Sequence, residues 1–272
     1  MLKQRRTLLT LFIVAVVQAT GGDFDVSLRR NLQVSTQTIG SYTYTCDLTT
    51  KAFSFGGTQD DQIVDVAIDN EGGGEIYACG NTYSTQYSSG DQDIVVFKFE
   101  PQTMSYMRPD GWSLVWGGPI TETATGIAVD DSSQFVYVSA YTNSENTLSS
   151  AKYDLLVLKI NSNTGLLTWA KRFGSGNNDK ANGITFFNGN IYVIGDSDSV
   201  GWTGLNARTD MVFLKIDPST SQPVFSNFLG GTAEDFGLKI VGHSDGFLYA
   251  LGQGYSVEYT QGTIDPFIIR FD

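Results

Sequence analysis

Four acidic residues recur at matched points of this chain: Asp61, Glu122, Asp179 and Asp235. Asp60, Asn178 and Glu234 stand one residue before three of them, and Thr121 breaks the pattern in the other. Carboxylate and amide oxygens are the ligands of hard cations, so four such groups at one mouth of a central channel would suit a Ca²⁺ ion. They also suit a second role, in which each carboxylate accepts hydrogen bonds from its own loop amides and fixes a turn. Recurrence in every unit is what a structural role predicts.

Other chemistry is sparser. Asp93, Asp154, Asp210 and Asp265 form a second acidic series, with Lys98, Lys159, Lys215 and Arg270 five residues on. An odd offset places acid and base on opposite faces of a strand, so they do not pair within it, and both series read as structural. Asp196-Ser-Asp-Ser-Val-Gly201 begins like a calcium loop but lacks the third donor and the closing glutamate. Asn163-Thr-Gly-Leu-Leu-Thr-Trp169 resembles one turn of a quinoprotein-type propeller repeat, for which a docked tryptophan is sufficient reason. His243 is the sole histidine and lies beside Ser244-Asp245-Gly246, the composition of a hairpin turn rather than of a nucleophile and its base. Cys46 and Cys79, with that one histidine, are too few for a usual zinc site. Whether the two cysteines are bonded is not given by their positions. A polysaccharide hydrolase or lyase using paired carboxylates stays open, since 29 acids offer many pairs.

The elements that must carry these residues are repeats. The segment Asp93–Phe99 recurs at 154–160, 210–216 and 265–271, with leading aspartates 61, 56 and 55 residues apart. A second segment carries Tyr77, Tyr137, Tyr192 and Tyr249, and ends on Gly80, Ala140, Gly195 and Gly252, where a small residue permits close backbone approach. First segments are expected at 64–69, 126–130, 183–187 and 238–242, just after the four acids. Fourth segments end in an aromatic and small residues, as in Phe55-Gly56-Gly57 and Trp116-Gly117-Gly118. Asn188-Gly189 and Asp245-Gly246 favour tight hairpins between first and second segments. A period of this size filled with short strands predicts an all-β fold: a four-bladed β-propeller of four-stranded antiparallel blades. Residues 51–57 read as a fourth strand preceding any first strand, and the last unit lacks one. The expected closure is therefore a velcro seam between the N-terminal strand and the last blade.

These units resemble the SBBP family of β-propeller repeats, through Phe55-Gly-Gly-Thr-Gln-Asp-Asp61, Asp65-Val-Ala-Ile-Asp69, Glu75-Ile-Tyr-Ala-Cys-Gly80 and the aspartate-led strand. Gly126-Ile-Ala-Val-Asp130 is also similar to NHL-type repeats. The resemblance covers residues 51–272 and implies a fold and a secreted or surface setting. It carries no catalytic set.

Lys3, Arg5 and Arg6, an apolar run at 8–17 and Val17-Gln18-Ala19 read as a secretory signal peptide over residues 1–19. Residues 20–40 read as a linker or disordered arm, and 41–272 as the propeller. The remainder has no apolar segment of membrane-spanning length. Cleavage after Ala19 would take the formal net charge from −12 to −15, a field that repels nucleic acid. The expected protein is secreted or at the extracellular surface. It is read as a non-catalytic binding or scaffolding module for protein or carbohydrate, with no cofactor beyond a Ca²⁺ at the channel mouth. A fragment of a larger surface protein is a further alternative. The loops between second and third strands, rich in Tyr, Ser, Thr and Asn, are the expected binding surface.

Overall fold

The computed structural model describes residues 36–39, 42–45, 55–69, 74–99, 111–144, 152–199, 208–257 and 263–271. All regular structure among them is β. Strands β1 (Thr36–Ile39) and β2 (Tyr42–Thr45) pair as a separate antiparallel hairpin. Four antiparallel sheets follow in strict chain order. Sheet 1 holds β3 (Asp61–Ile68), β4 (Ile76–Thr82), β5 (Asp93–Phe99) and β6 (Trp112–Trp116). Sheet 2 holds β7 (Glu122–Val129), β8 (Phe135–Thr142), β9 (Asp154–Asn161) and β10 (Leu167–Phe173). Sheet 3 holds β11 (Asp179–Phe187), β12 (Asn190–Ser197), β13 (Asp210–Ile216) and β14 (Pro223–Leu229). Sheet 4 holds β15 (Asp235–Gly242), β16 (Leu248–Gly254) and β17 (Asp265–Phe271).

Each sheet is a meander, the order that short turns enforce. Asn188 and Gly189 take φ values of 47° and 75° in the β11–β12 hairpin, and Gly246 takes 94° in the β15–β16 turn, as turns of this composition require. The first strands begin earlier than expected. Each of the four acids is the first residue of its strand, not a residue in the preceding loop. The cause is a register shift at one position in all four sheets, at Val64, Thr125, Asn182 and Leu238. Such a bulge breaks the in–out alternation and bends the strand. The recurrent small residue of each second strand pairs with the residue just before this bulge, and in two sheets a side chain there has no room: a Cβ on Gly80 would overlap the carbonyl of Gln62, and one on Gly195 that of Lys180.

The sheets stack face to face in a propeller-like arrangement. Strand β7 packs on β3, β11 on β7 and β15 on β11. Apolar cores lie between successive sheets. Cys79, Ile94 and Val96 meet Ile127, Val138 and Leu156; Tyr137, Leu155 and Val157 meet Ile184, Val193 and Leu214; Ile194 and Phe213 meet Ile240 and Ala250. In register, Tyr77, Tyr137, Tyr192 and Tyr249 stand opposite Lys98, Lys159, Lys215 and Arg270. The first three cations lie 6.0, 5.9 and 5.5 Å from those rings, so each buried tyrosine shields an amphipathic base.

The end faces differ from the inner ones. Ile127 in β7 is 5% exposed, whereas Val66, its counterpart in β3, is 42% exposed. Phe213 in β13 is 1% exposed, whereas Ile268 in β17 is 75% exposed. Among the described residues sheet 4 has three strands. The expected seam falls largely outside them, since residues 51–54 are not described, and the Phe55 ring packs 4.8 Å from Phe97 in sheet 1. One contact does tie the two end sheets: Lys239 Nζ of β15 lies 3.0 Å from Asp65 Oδ2 of β3. The positions equivalent to these two, just past each bulge, are Gly126 and Gly183.

Candidate functional site

The four expected site acids each sit in a network of their own sheet. Asp61 Oδ2 accepts from Gly57 N (2.8 Å) and Ser84 Oγ (3.0 Å). Glu122 accepts from Gly118 N and Thr142 Oγ1, both at 2.6 Å. Asp179 accepts from Ser175 N and Ser199 Oγ at 2.8 Å, and from Ser197 Oγ. Asp235 Oδ2 accepts from Gly231 N (3.0 Å) and Ser256 Oγ (2.6 Å). Each acid thus fastens the small-residue turn before it to the end of its second strand. Among the described residues no three carboxylate, imidazole or thiol side chains gather as a metal-binding group, so the structure does not bring the four acids around one point.

A serine seven residues beyond the recurrent tyrosine completes each network. Ser84, Ser144, Ser199 and Ser256 accept from the amides of Gln59, Ile120, Asn177 and Ala233, each two residues before the acid. Sequence reasoning missed this series, although the constant Tyr-to-Ser offset is visible in the chain.

It also missed how the two acidic series meet. The amide of Glu122 donates to the carbonyl of Gln92, that of Asp179 to Tyr153, and that of Asp235 to Thr209, at 2.8, 2.7 and 2.9 Å. These carbonyls belong to the residues just before Asp93, Asp154 and Asp210. The strand-leading aspartate of one sheet is thereby set beside the strand-leading acid of the next. Burial, then the charge of Asp235, pushes the Asp210 carboxyl up to about 6. Asp154 and Asp179 are raised chiefly by burial, offset by Arg172 at the first and by the serine and amide donors at the second.

Beside the junction of sheets 3 and 4 opens a cleft of about 490 Å³, lined by Asp198, Arg208, Thr209, Ala233, Glu234 and Tyr255. These residues come from the second-to-third-strand loops of sheets 3 and 4 and from the turn before β15. Asn178 clamps Asp198 with its backbone amide and its side-chain amide. The Arg208 guanidinium and Tyr255 ring are exposed. The cleft combines cation, carboxylates, hydroxyl and an aromatic face, the groups that hold polar ligands.

The remaining candidates are placed as follows. His243 is exposed in the β15–β16 turn, with Nδ1 3.1 Å from Asp245 Oδ2 and 3.2 Å from the Asp245 amide, so it serves the turn. The Trp169 indole donates to the Pro218 carbonyl, docking sheet 2 on sheet 3. Cys79 is a buried free thiol whose pKa burial pushes up, and Cys46 lies outside the described residues.

No protein-family model and no curated protein matches the sequence. Among solved structures, the chain is similar to Kuenenia stuttgartiensis hydrazine synthase, at 10% identity and TM-score 0.36, over 76% of this chain and 62% of that one. It is similar to a Synechocystis apocarotenoid oxygenase at 11% identity and TM-score 0.42, over 86% of this chain and 56% of the other. It is also similar to the WD40 β-propeller domain of Doa1, at 9% identity and TM-score 0.28, over 77% and 83%. The chain spans less than two thirds of the first two. Its architecture is read from its own strand order and register.

Proposed function

We propose that this protein is a secreted binding module: a four-bladed propeller, closed by residues 51–57 against β17, that captures a polar protein or carbohydrate ligand at its loop face. The observation that carries this reading is the cleft between sheets 3 and 4, where Arg208, Asp198, Glu234 and Tyr255 offer hydrogen-bonding groups beside an aromatic surface. Tyrosine and arginine are the side chains that dominate binding energies at such surfaces. The N-terminal charge pattern and the resemblance to SBBP repeats support the extracellular setting. Among the described residues no helix is long and apolar enough to cross a membrane.

The test is binding of the full secreted chain to glycan and protein arrays, with Tyr255→Ala and Arg208→Ala as variants. A hit weakened about tenfold or more by either variant supports the module. Two carboxylates line the same cleft, which keeps a polysaccharide hydrolase or lyase as the second reading. Turnover of any arrayed polysaccharide, abolished by Glu234→Gln, would replace the first reading with the second.

A further inference from the structure

Among the described residues, three sheet-to-sheet junctions are built alike and balanced differently. In the middle one, Arg172 Nη1 lies 3.5 Å from Asp154 Oδ2, and both oxygens of Asp179 have donors. Register identifies the counterparts of Arg172. It pairs with Leu156, two residues past Asp154; Val115 pairs with Val95, two past Asp93; and Phe228 pairs with Val212, two past Asp210. Neither Val115 nor Phe228 brings a charge.

At those two junctions carboxylate oxygens are left over. Asp93 Oδ1, Asp210 Oδ2 and Asp235 Oδ1 are buried without a hydrogen-bond partner among the described residues, on side chains only 1% exposed. At the first junction the geometry is convergent. A Cβ on Gly117 would overlap Asp93 Oδ1 and lie 2.7 Å from Glu122 Oε2, so both oxygens close over one glycine. A buried carboxylate oxygen without a donor, beside a second carboxylate, is strongly unfavourable unless a proton or another positive charge joins it. Arg172 supplies that charge in the middle junction.

We propose that the junctions of sheets 1 and 2 and of sheets 3 and 4 each bind a hard divalent cation of the Ca²⁺ type, between Asp93 and Glu122 and between Asp210 and Asp235. The carbonyls of Gly117 and Gly118, gathered 3.3 and 3.2 Å from Ser89 Oγ, add neutral oxygens beside the first pair. Two carboxylates completed by carbonyls, hydroxyl and water make a weak site, with Kd on the order of 10⁻⁴–10⁻³ M. Ca²⁺ tolerates such an irregular shell, whereas Mg²⁺ demands near-octahedral geometry. The two sites do not depend on the ligand-binding role of the cleft.

The test uses the full chain at pH 7, stripped with EDTA and titrated with CaCl₂ to about 5 mM. The expected result is a rise in Tm of about 4 °C or more. Tb³⁺ should emit when excited through Trp116, the neighbour of Gly117, and Ca²⁺ should displace it. Asp93→Asn should remove the Tb³⁺ emission, Asp210→Asn should remove about half of the Ca²⁺ shift, and Asp154→Asn should spare both. A wild-type chain with neither a Ca²⁺ shift nor Ca²⁺-displaceable emission overturns the proposal. So does an Asp154→Asn variant that loses as much response as Asp93→Asn.

Discussion

The junction between sheets 2 and 3 and the two that flank it share a backbone plan and differ in one strand position. All three join an acid's amide to the carbonyl before the preceding sheet's strand-leading aspartate. All three fasten a small-residue turn to that acid. Only the middle one carries an arginine in the fourth strand, where the flanking junctions have Val115 and Phe228. The repeat therefore preserves what the turns need and varies what balances charge. A feature common to all units reports on the scaffold, and a feature that changes between them reports on what each junction binds.

The comparison can be tested by substitution, beginning with the shared part. Asp179→Ala removes an acceptor that serves Ser175, Ser197 and Ser199, and leaves buried donors unpaired. It should cost about 3–5 kcal/mol, read as a lower urea midpoint. A loss under about 1 kcal/mol would mean that the acids are not what holds the turns. Next is the convergence over Gly117. Gly117→Ala forces a methyl onto Asp93 and should cost about 1–3 kcal/mol, whereas Gly176→Ala meets nothing within 4 Å and should be nearly neutral. Equal effects would break the claimed geometry.

The smallest effect tests the difference itself. Arg172→Leu should cost about 1 kcal/mol, because the ion pair is partly exposed. It should also steepen the pH dependence. Asp154 and Asp179 have folded pKa values above their unfolded ones, so the folded state takes up protons more readily than the unfolded chain. Their ionisation costs stability at neutral pH, and that cost is relieved as pH falls through the folded values toward about 4. Removing Arg172 raises Asp154 further and widens that window. Chemical denaturation of both proteins at several pH values measures it, and parallel curves would show that Arg172 does not balance this junction.

Much of the architecture was legible because strand chemistry is local. The third strand β5 spans Asp93–Phe99 as the sequence predicts, since its continuous apolar run between a polar start and end is the pattern of a strand buried on both faces. Asn188-Gly189 gave its turn for equally local reasons. The starts of β3, β7, β11 and β15 lie ahead of those the sequence predicts because the bulges at Val64, Thr125, Asn182 and Leu238 interrupt the alternation from which a strand is recognised. The pairing of Asp93 with Glu122 was not legible for a different reason. It joins two sheets, and no periodicity within one strand encodes which neighbour a side chain will meet. Its trace is the near-constant offset of 29, 25 and 25 residues between Asp93, Asp154 and Asp210 and the acids that follow them.

The contact between Asp65 and Lys239 has a consequence for how the first and last sheets meet. Among the described residues, apolar cores join successive sheets, whereas the first and last sheets are tied by charge. At the four equivalent positions just past the bulges the residues are Asp65, Gly126, Gly183 and Lys239, so a single acid finds a single base there. The contact between the first and last sheets is thus an asymmetric key. It marks by charge which two sheets belong together, where the other junctions use apolar surface.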